Sequence, residues 1–118
     1  MTDPALCATV TAATMEELRA RRDAVKGADL VELRLDGIRA PDVAGGLKHR
    51  QLPVIVTCRA SWEGGQFRGS EEERQRLLEQ ALDQGADWVD LEWQGGFGDL
   101  ITRRNGRNVV LSFHAFDG

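Results

Sequence analysis

The sequence has little cysteine, no long apolar run and no excess of basic charge, and each shortage excludes a class of protein. Its two cysteines, Cys7 and Cys58, share no Cys-x-x-Cys or Cys/His spacing and fall in apparent strands, so we expect buried thiols rather than a disulfide or a zinc site. The longest apolar stretches, 53–58 and 109–113, are far shorter than the roughly 18 to 20 residues of a membrane helix. Fifteen basic and nineteen acidic residues give a net charge of -4, which argues against a nucleic-acid partner and favours a small molecule.

With 118 residues, 42% of them hydrophobic, the chain is large enough to bury the core of one small domain without covalent cross-links. Its N-terminus carries Asp3 and Pro4 and has no basic segment ahead of an apolar one, which does not fit a secretory signal. We therefore expect a cytoplasmic protein.

Short β-branched runs alternate along the chain with longer amphipathic stretches. Capping-box signatures at 14–17 and 70–73 predict the starts of two helices, and Gly27 and Gly85 predict their ends. The pattern predicts strands at 6–11, 30–36, 54–59, 88–93 and 108–114, and shorter helices at 41–49 and 100–104.

The two long helices have distinct apolar faces. Met15, Leu18 and Val25 share one face of the first helix, and Arg19 and Arg22 are predicted to lie on other faces. The second helix is expected to bury Leu77, Leu78, Ala81 and Leu82.

An internal repeat supports this segmentation. The stretch GADLVELRL at 27–35 is matched by GADWVDLEW at 85–93, an offset of 58 residues, or two β-plus-α units. Strands that alternate with helices at this spacing pair in parallel through right-handed crossovers. The fold class is therefore predicted to be α/β.

Charged residues occupy alternate positions of two predicted strands, although strands of a parallel sheet are usually apolar on both faces. On strands 30–36 and 88–93 the charged face holds Glu32, Arg34, Asp36, Asp90 and Glu92. Ile55, Thr57 and Arg59 share a face of the third strand, and Val110, Ser112 and His114 share a face of the fifth. If these faces coincide, Asp36, Arg59, Glu92 and His114 meet at the carboxyl ends of the strands, where such sheets bind ligands.

Other interpretations of the same residues stay open. The charged face is also compatible with a solvated sheet or with a structural ion network between Glu32 and Arg34. His114 taken alone is also compatible with a satisfied core or surface histidine. The glycine-containing loop at 58–69 is either a segment that approaches or covers a ligand or a flexible connector.

Three motifs then agree in order, spacing and position. They are ELRLD at 32–36, TCR at 57–59 followed by EGG at 63–65, and SFHAF at 112–116, at the ends of the second, third and fifth strands. Together they resemble the type I 3-dehydroquinate dehydratases from about residue 6 to residue 118. The resemblance implies an eight-stranded TIM-type β/α barrel, of which these residues supply about five parallel strands with their intervening helices, and of which the last three units are absent.

The resemblance also implies an activity and a set of site residues. The family is a Schiff-base-forming lyase of the shikimate pathway, which dehydrates 3-dehydroquinate to 3-dehydroshikimate through an imine with a lysine; no metal and no cofactor are implied. His114 resembles the general acid/base and Glu63 the loop carboxylate beside it. Glu32, Arg34 and Arg59 resemble the substrate contacts, and an arginine can hold a carboxylate bidentately.

One element of the family pattern is missing. The imine-forming lysine belongs at the end of a sixth strand, beyond Gly118, and Lys26 and Lys48 are predicted to face solvent on the outside of the barrel. We therefore expect the isolated chain to be inactive, and we expect its exposed parallel edges to promote self-association. Two alternatives are a non-catalytic half-barrel that serves as an interaction or regulatory module, and a different lysine-dependent, aldolase-like barrel.

Overall fold

The computed structural model describes residues 5–92, 96–103 and 107–112. Its strands are β1 (Cys7–Val10), β2 (Leu30–Arg34), β3 (Val54–Thr57), β4 (Trp88–Glu92) and β5 (Val109–Ser112). Its helices are α1 (Met15–Ala24), α2 (Val43–Leu47), α3 (Glu71–Asp83) and α4 (Gly98–Arg103), with a single 3-10 turn at Ser61–Glu63. The predicted strands and helices are all present, and the ends that fall within the described residues lie at most a few residues from the predicted ones.

The five strands form one parallel sheet in the order β1-β2-β3-β4-β5. This confirms the predicted α/β class. Crossovers between parallel strands are right-handed in nearly all proteins, and for strands in sequential order this places the connecting helices on the same side of the sheet. The order shows no reversal of the kind that marks a doubly wound sheet, and it is the order of consecutive strands in a β/α barrel.

Local hydrogen bonds explain where the two long helices begin. At the start of α3, Ser70 Oγ accepts from the Glu73 amide at 3.1 Å, and Glu73 Oε1 accepts from the Ser70 amide at 3.5 Å, which is the predicted capping box. At the start of α1, Thr14 Oγ1 accepts from the Glu17 amide at 3.2 Å. Both helices end shortly before a glycine with positive φ, since Gly27 has φ 78° and Gly85 has φ 90°.

The core lies between the helices and one face of the sheet. Alternate strand residues supply that face, and α1 and α3 cover it with Leu18 and Leu78. The fully buried strand residues of this face are Val31, Leu33, Val54, Val56, Val89 and Leu91. The opposite face therefore carries the other set of alternate residues, which includes most of the charged ones.

The internal repeat has a structural counterpart at the amino ends of the strands. Asp29 Oδ2 accepts from the Leu6 amide, next to β1, at 2.8 Å, and Asp87 Oδ2 accepts from the Val54 amide of β3 at 2.8 Å. Each aspartate comes just before a strand and binds the start of the preceding strand. The two segments are thus equivalent in hydrogen bonding as well as in sequence.

Two sequence predictions about burial were wrong. Arg22 was predicted to lie off the buried face of α1, but it is buried and its Nη1 donates to the carbonyls of Gly46 at 2.6 Å and Lys48 at 2.9 Å. Cys7 is exposed because it lies on the open face of the sheet in the first strand, whereas Cys58 is buried as predicted. Leu77 is half-buried and packs against the core. In the described part of the chain, no helix has the length and apolar character needed to cross a membrane.

Candidate functional site

The charged faces of neighbouring strands coincide, as predicted. Glu32 is in register with Thr9 on one side, and Arg34 is in register with Thr57 on the other. Glu92 is likewise in register with Ser112. Because paired residues of parallel strands project to the same side, these side chains share the face opposite the helices. His114 lies outside the described residues, so its predicted place at the end of the fifth strand remains a prediction.

Glu32 binds hydroxyl groups of both neighbouring strands. Thr9 Oγ1 donates to its Oε1 at 2.9 Å, and Thr57 Oγ1 donates to its Oε2 at 2.6 Å. Among the described residues, Arg34 forms its salt bridge with Asp36 rather than with the suggested partner Glu32. Glu32 is therefore a carboxylate fixed by two neutral donors.

Arg34 and Asp36 form a bidentate ion pair at the carboxyl end of β2. Arg34 donates from Nε to Oδ1 at 2.9 Å and from Nη2 to Oδ2 at 2.8 Å. The same carboxylate accepts from the backbone amides of Arg59 at 3.2 Å and Gln66 at 2.9 Å. Burial alone would raise the pKa of Asp36, but these hydrogen bonds outweigh it and hold the pKa below its ordinary value.

Arg59 lies between carboxylates of β4. Its Nη1 donates to Glu92 Oε2 at 3.2 Å and to Ser112 Oγ at 2.8 Å, and its Nη2 donates to Asp90 Oδ2. All three charged side chains are buried. Burial raises the pKa of Asp90, and the nearby Glu92 raises it further, although Arg59 offsets part of the effect.

A second buried arginine, Arg74 of α3, completes this network and was missed by the sequence analysis. Its Nη1 donates to Glu92 Oε1 at 2.7 Å and to the Cys58 carbonyl at 2.9 Å. Its guanidinium also lies 5.8 Å from the ring centre of Trp62 and 5.2 Å from that of Phe97. One signal was available, because position 74 precedes the buried positions 78 and 81 by one and two helical turns and so lies on the apolar stripe of α3.

The loop after β3 carries Glu63 into this region. Glu63 ends the 3-10 turn, is buried, and has an oxygen 4.0 Å from Arg59 Nη1. Gly65 then passes so close to Arg59 that an added Cβ would lie 2.1 Å from the Arg59 carbonyl oxygen. The Gly65 amide donates to the Ala60 carbonyl at 2.8 Å, so the loop is hydrogen-bonded to itself as well as to Asp36.

An open cavity of about 560 Å³ lies past the carboxyl end of β2, where Arg34, Asp36 and Gln66 line it together with Glu17 and Arg21 of α1. Glu32 and Arg59 are not among its lining residues. Its volume is typical of small-molecule sites. The face presents cations, carboxylates and hydroxyl groups that their neighbours already hold in place. Such a surface can bind a small polar molecule with little reorganisation.

Comparison with known proteins identifies the family. The model of the family "Type I 3-dehydroquinase" matches residues 6–118. The 3-dehydroquinate dehydratase of Desulfotalea psychrophila is 31% identical over 118 residues, which cover 95% of this chain and 52% of that protein. The 3-dehydroquinate dehydratase of Methanothrix thermoacetophila is 35% identical over 116 residues, which cover 98% of this chain and 50% of that protein.

A solved structure shows the same fold. The crystal structure of 3-dehydroquinate dehydratase from Geobacillus kaustophilus superposes with a TM-score of 0.80 at 33% identity, over 99% of this chain and 52% of that one. The chain spans about half the length of the curated relatives that it matches. Its five-stranded sheet is thus part of a TIM-type β/α barrel, and the chain belongs to the type I 3-dehydroquinase family of lyases.

Proposed function

We propose that this chain supplies the N-terminal, substrate-binding part of a type I 3-dehydroquinate dehydratase site. The reaction converts 3-dehydroquinate to 3-dehydroshikimate through an imine with a lysine, in the shikimate pathway and in the cytoplasm. The family match and the dehydratases among the relatives support the reaction. The barrel strands supplied here are the first five.

The observation that carries the proposal is the common face of Glu32, Arg34 and Arg59. In this proposal the three residues bind substrate, with the two arginines attracting its carboxylate and hydroxyl groups and Glu32 accepting from a hydroxyl. Glu63 and His114 are the catalytic pair. His114 moves the proton next to the imine, since histidine titrates near working pH, and Glu63 orients it.

We further propose that the 118 residues by themselves form no imine. Lys26 and Lys48 are both exposed and follow helices, so they precede the amino ends of the next strands. The proposed substrate residues lie toward the carboxyl ends of the strands, at the opposite edge of the sheet. Neither lysine can reach a ketone that is bound there.

Borohydride trapping tests this part of the proposal. The chain is incubated with 3-dehydroquinate and sodium borohydride, digested, and mapped by mass spectrometry. We expect no adduct on Lys26 or Lys48 and no enone product. An adduct that forms in the wild-type chain and disappears in the K26R/K48R variant would contradict it.

Binding is tested separately by titrating the ¹⁵N-labelled chain with 3-dehydroquinate. We expect shifts confined to the face that holds Glu32, Arg34 and Arg59. Arg34→Met should weaken binding by roughly tenfold, because a charged hydrogen bond is lost. Arg76→Met, an exposed position on α3, is the matched control and should bind normally. Equal affinity of the two variants, or shifts confined to the helical side, would refute the substrate assignment.

Self-association is the last part of the proposal. Among the described strands, β1 and β5 each pair with only one neighbour, and Leu6, Val110 and Leu111 near these edges are exposed. Unpaired strand edges favour association with another chain. Light scattering should therefore show a concentration-dependent dimer, which Leu111→Lys should weaken. A wild-type monomer at all concentrations would refute this.

A further inference from the structure

We infer that Asp36 is a positioning residue that determines which edge of the Arg34 guanidinium meets the ligand and that ties the loop after β3 to the same carboxylate. The inference rests on the proposed function, since it treats Arg34 as a ligand contact. The family resemblance gave Asp36 no role of its own.

Asp36 uses its whole hydrogen-bonding capacity. Oδ1 accepts from Arg34 Nε and from the Arg59 amide, and Oδ2 accepts from Arg34 Nη2 and from the Gln66 amide. An ionised carboxylate offers about four acceptor sites, so none is left for a ligand. The side chain is buried, with 3% of its surface exposed. Its contacts therefore hold protein groups rather than substrate.

The ion pair leaves one edge of Arg34 for a ligand. Nε and Nη2 face Asp36, and in the described residues no protein acceptor binds Nη1. The arginine side chain is 26% exposed and lines the 560 Å³ cavity. A carboxylate or hydroxyl of the ligand would then approach the edge formed by Nη1 and the second N–H of Nη2, because Asp36 occupies the edge formed by Nε and Nη2.

The same carboxylate also holds the loop that carries Glu63. Its bonds to the Arg59 and Gln66 amides lie on either side of the tight approach at Gly65. The Gln66 side chain lies close to Gly37, just after β2, since a Cβ added at Gly37 would come within 3.0 Å of Gln66 Oε1. Loss of the carboxylate should therefore loosen Arg34 and the loop together.

The first experiment needs no ligand. Amide hydrogen exchange and the Arg34 Nε–H resonance are measured by NMR in the folded wild-type chain and in the Asp36→Asn variant, whose amide nitrogen cannot accept. We expect the Arg59 and Gln66 amides to exchange about tenfold faster or more, and the Arg34 resonance to move toward that of a free arginine. Asp42→Asn, at the exposed N-cap of α2, is the control and should change neither. Unchanged exchange and resonance in Asp36→Asn would overturn the inference.

If Asp36→Asn does not fold, Asp36→Glu serves instead, because it keeps the charge and acceptors but displaces them by one methylene. The same two amides should then exchange faster while the remaining strand amides stay protected. Protection equal to that of the wild-type chain would overturn the inference.

The second experiment tests the route through Arg34. Asp36→Asn should weaken 3-dehydroquinate binding by roughly tenfold, and the double variant with Arg34→Met should bind no more weakly than Arg34→Met alone. Independent, additive losses would refute positioning through Arg34. If the wild-type chain does not bind 3-dehydroquinate, the proposed function fails, but the exchange experiment still decides the role of Asp36.

Discussion

Replacing Arg74 by methionine should cause a large loss of stability. The side chain is fully buried, and its loss leaves Glu92 with one cationic partner instead of two and the Cys58 carbonyl without this donor. Removing one partner of a buried ion pair costs about 3–5 kcal/mol. The free energy of unfolding of a small domain is only about 5–15 kcal/mol, so the substitution would remove a large part of it.

Urea unfolding, followed by tryptophan fluorescence and circular dichroism, measures this loss. The midpoint should fall with little change in the slope, because the surface exposed on unfolding stays similar. Arg74→Lys should lie between the two proteins, since an ammonium keeps the charge but cannot reproduce the planar set of hydrogen bonds.

Arg76→Met is the matched control for this prediction. Arg76 lies on the same helix, and its pair with Glu72 spans 3.8 Å between side chains that are 71% and 86% exposed. Such a pair contributes about 0–1 kcal/mol. If Arg74→Met and Arg76→Met lowered the midpoint equally, the buried network would contribute nothing to stability and the reasoning would be refuted.

Three further predictions concern a thiol, a glycine and a pH dependence. Burial raises the pKa of the Cys58 thiol to about 12, so a thiol reagent near neutral pH should label the exposed Cys7 and reach Cys58 only after unfolding. Gly65→Ala should destabilise the loop, because its Cβ would overlap the Arg59 backbone, and proteolysis should then cut there faster. The pKa of Asp36 is lower in the folded chain than in the unfolded chain, where it is about 4. The charged carboxylate therefore stabilises the fold at pH values above about 4, and this stabilisation is lost as the pH falls through the lower, folded-state pKa. The urea midpoint of Asp36→Asn should therefore depend less on pH in that acidic range.

Each of these three predictions has a control variant or an outcome that would contradict it. Gly98→Ala is the control for the glycine prediction, because its Cβ would meet nothing within 4 Å, and it should leave proteolysis unchanged. Labelling of both thiols in the folded chain would contradict the burial of Cys58. Parallel pH curves for the wild-type chain and Asp36→Asn would show that Asp36 is not stabilised in its charged form.

The parallel sheet could be predicted from the sequence because the residues that start and end each helix and strand act locally. Capping residues, glycines with positive φ and the repeated 27–35 and 85–93 segments each act within one β-plus-α unit. Strand ends were less predictable, since they depend on pairing with neighbours. Residues 35–36 follow β2 in the structure although their alternation continues the strand pattern.

The shared charged face was also predictable, because side chains alternate in strands and register is narrowly constrained in consecutive parallel units. The partners on that face were not. Glu32 binds two threonines and Arg34 binds Asp36, and alternation cannot choose between these pairings. The burial of Arg22 and Arg74 was not predicted for another reason. A long charged side chain can be buried when carbonyl or carboxylate oxygens accept hydrogen bonds from its guanidinium group.

The matching aspartates before β2 and β4 align the strands at the edge of the sheet opposite to the site. Asp29 and Asp87 join adjacent strands at their amino ends, whereas the ion pairs of the site lie at the carboxyl ends. The loops at the carboxyl ends can therefore change, in evolution or by design, while the aspartate hydrogen bonds at the amino ends keep each β-plus-α unit aligned with the one before it. The scaffold can accept a new specificity without first being rebuilt.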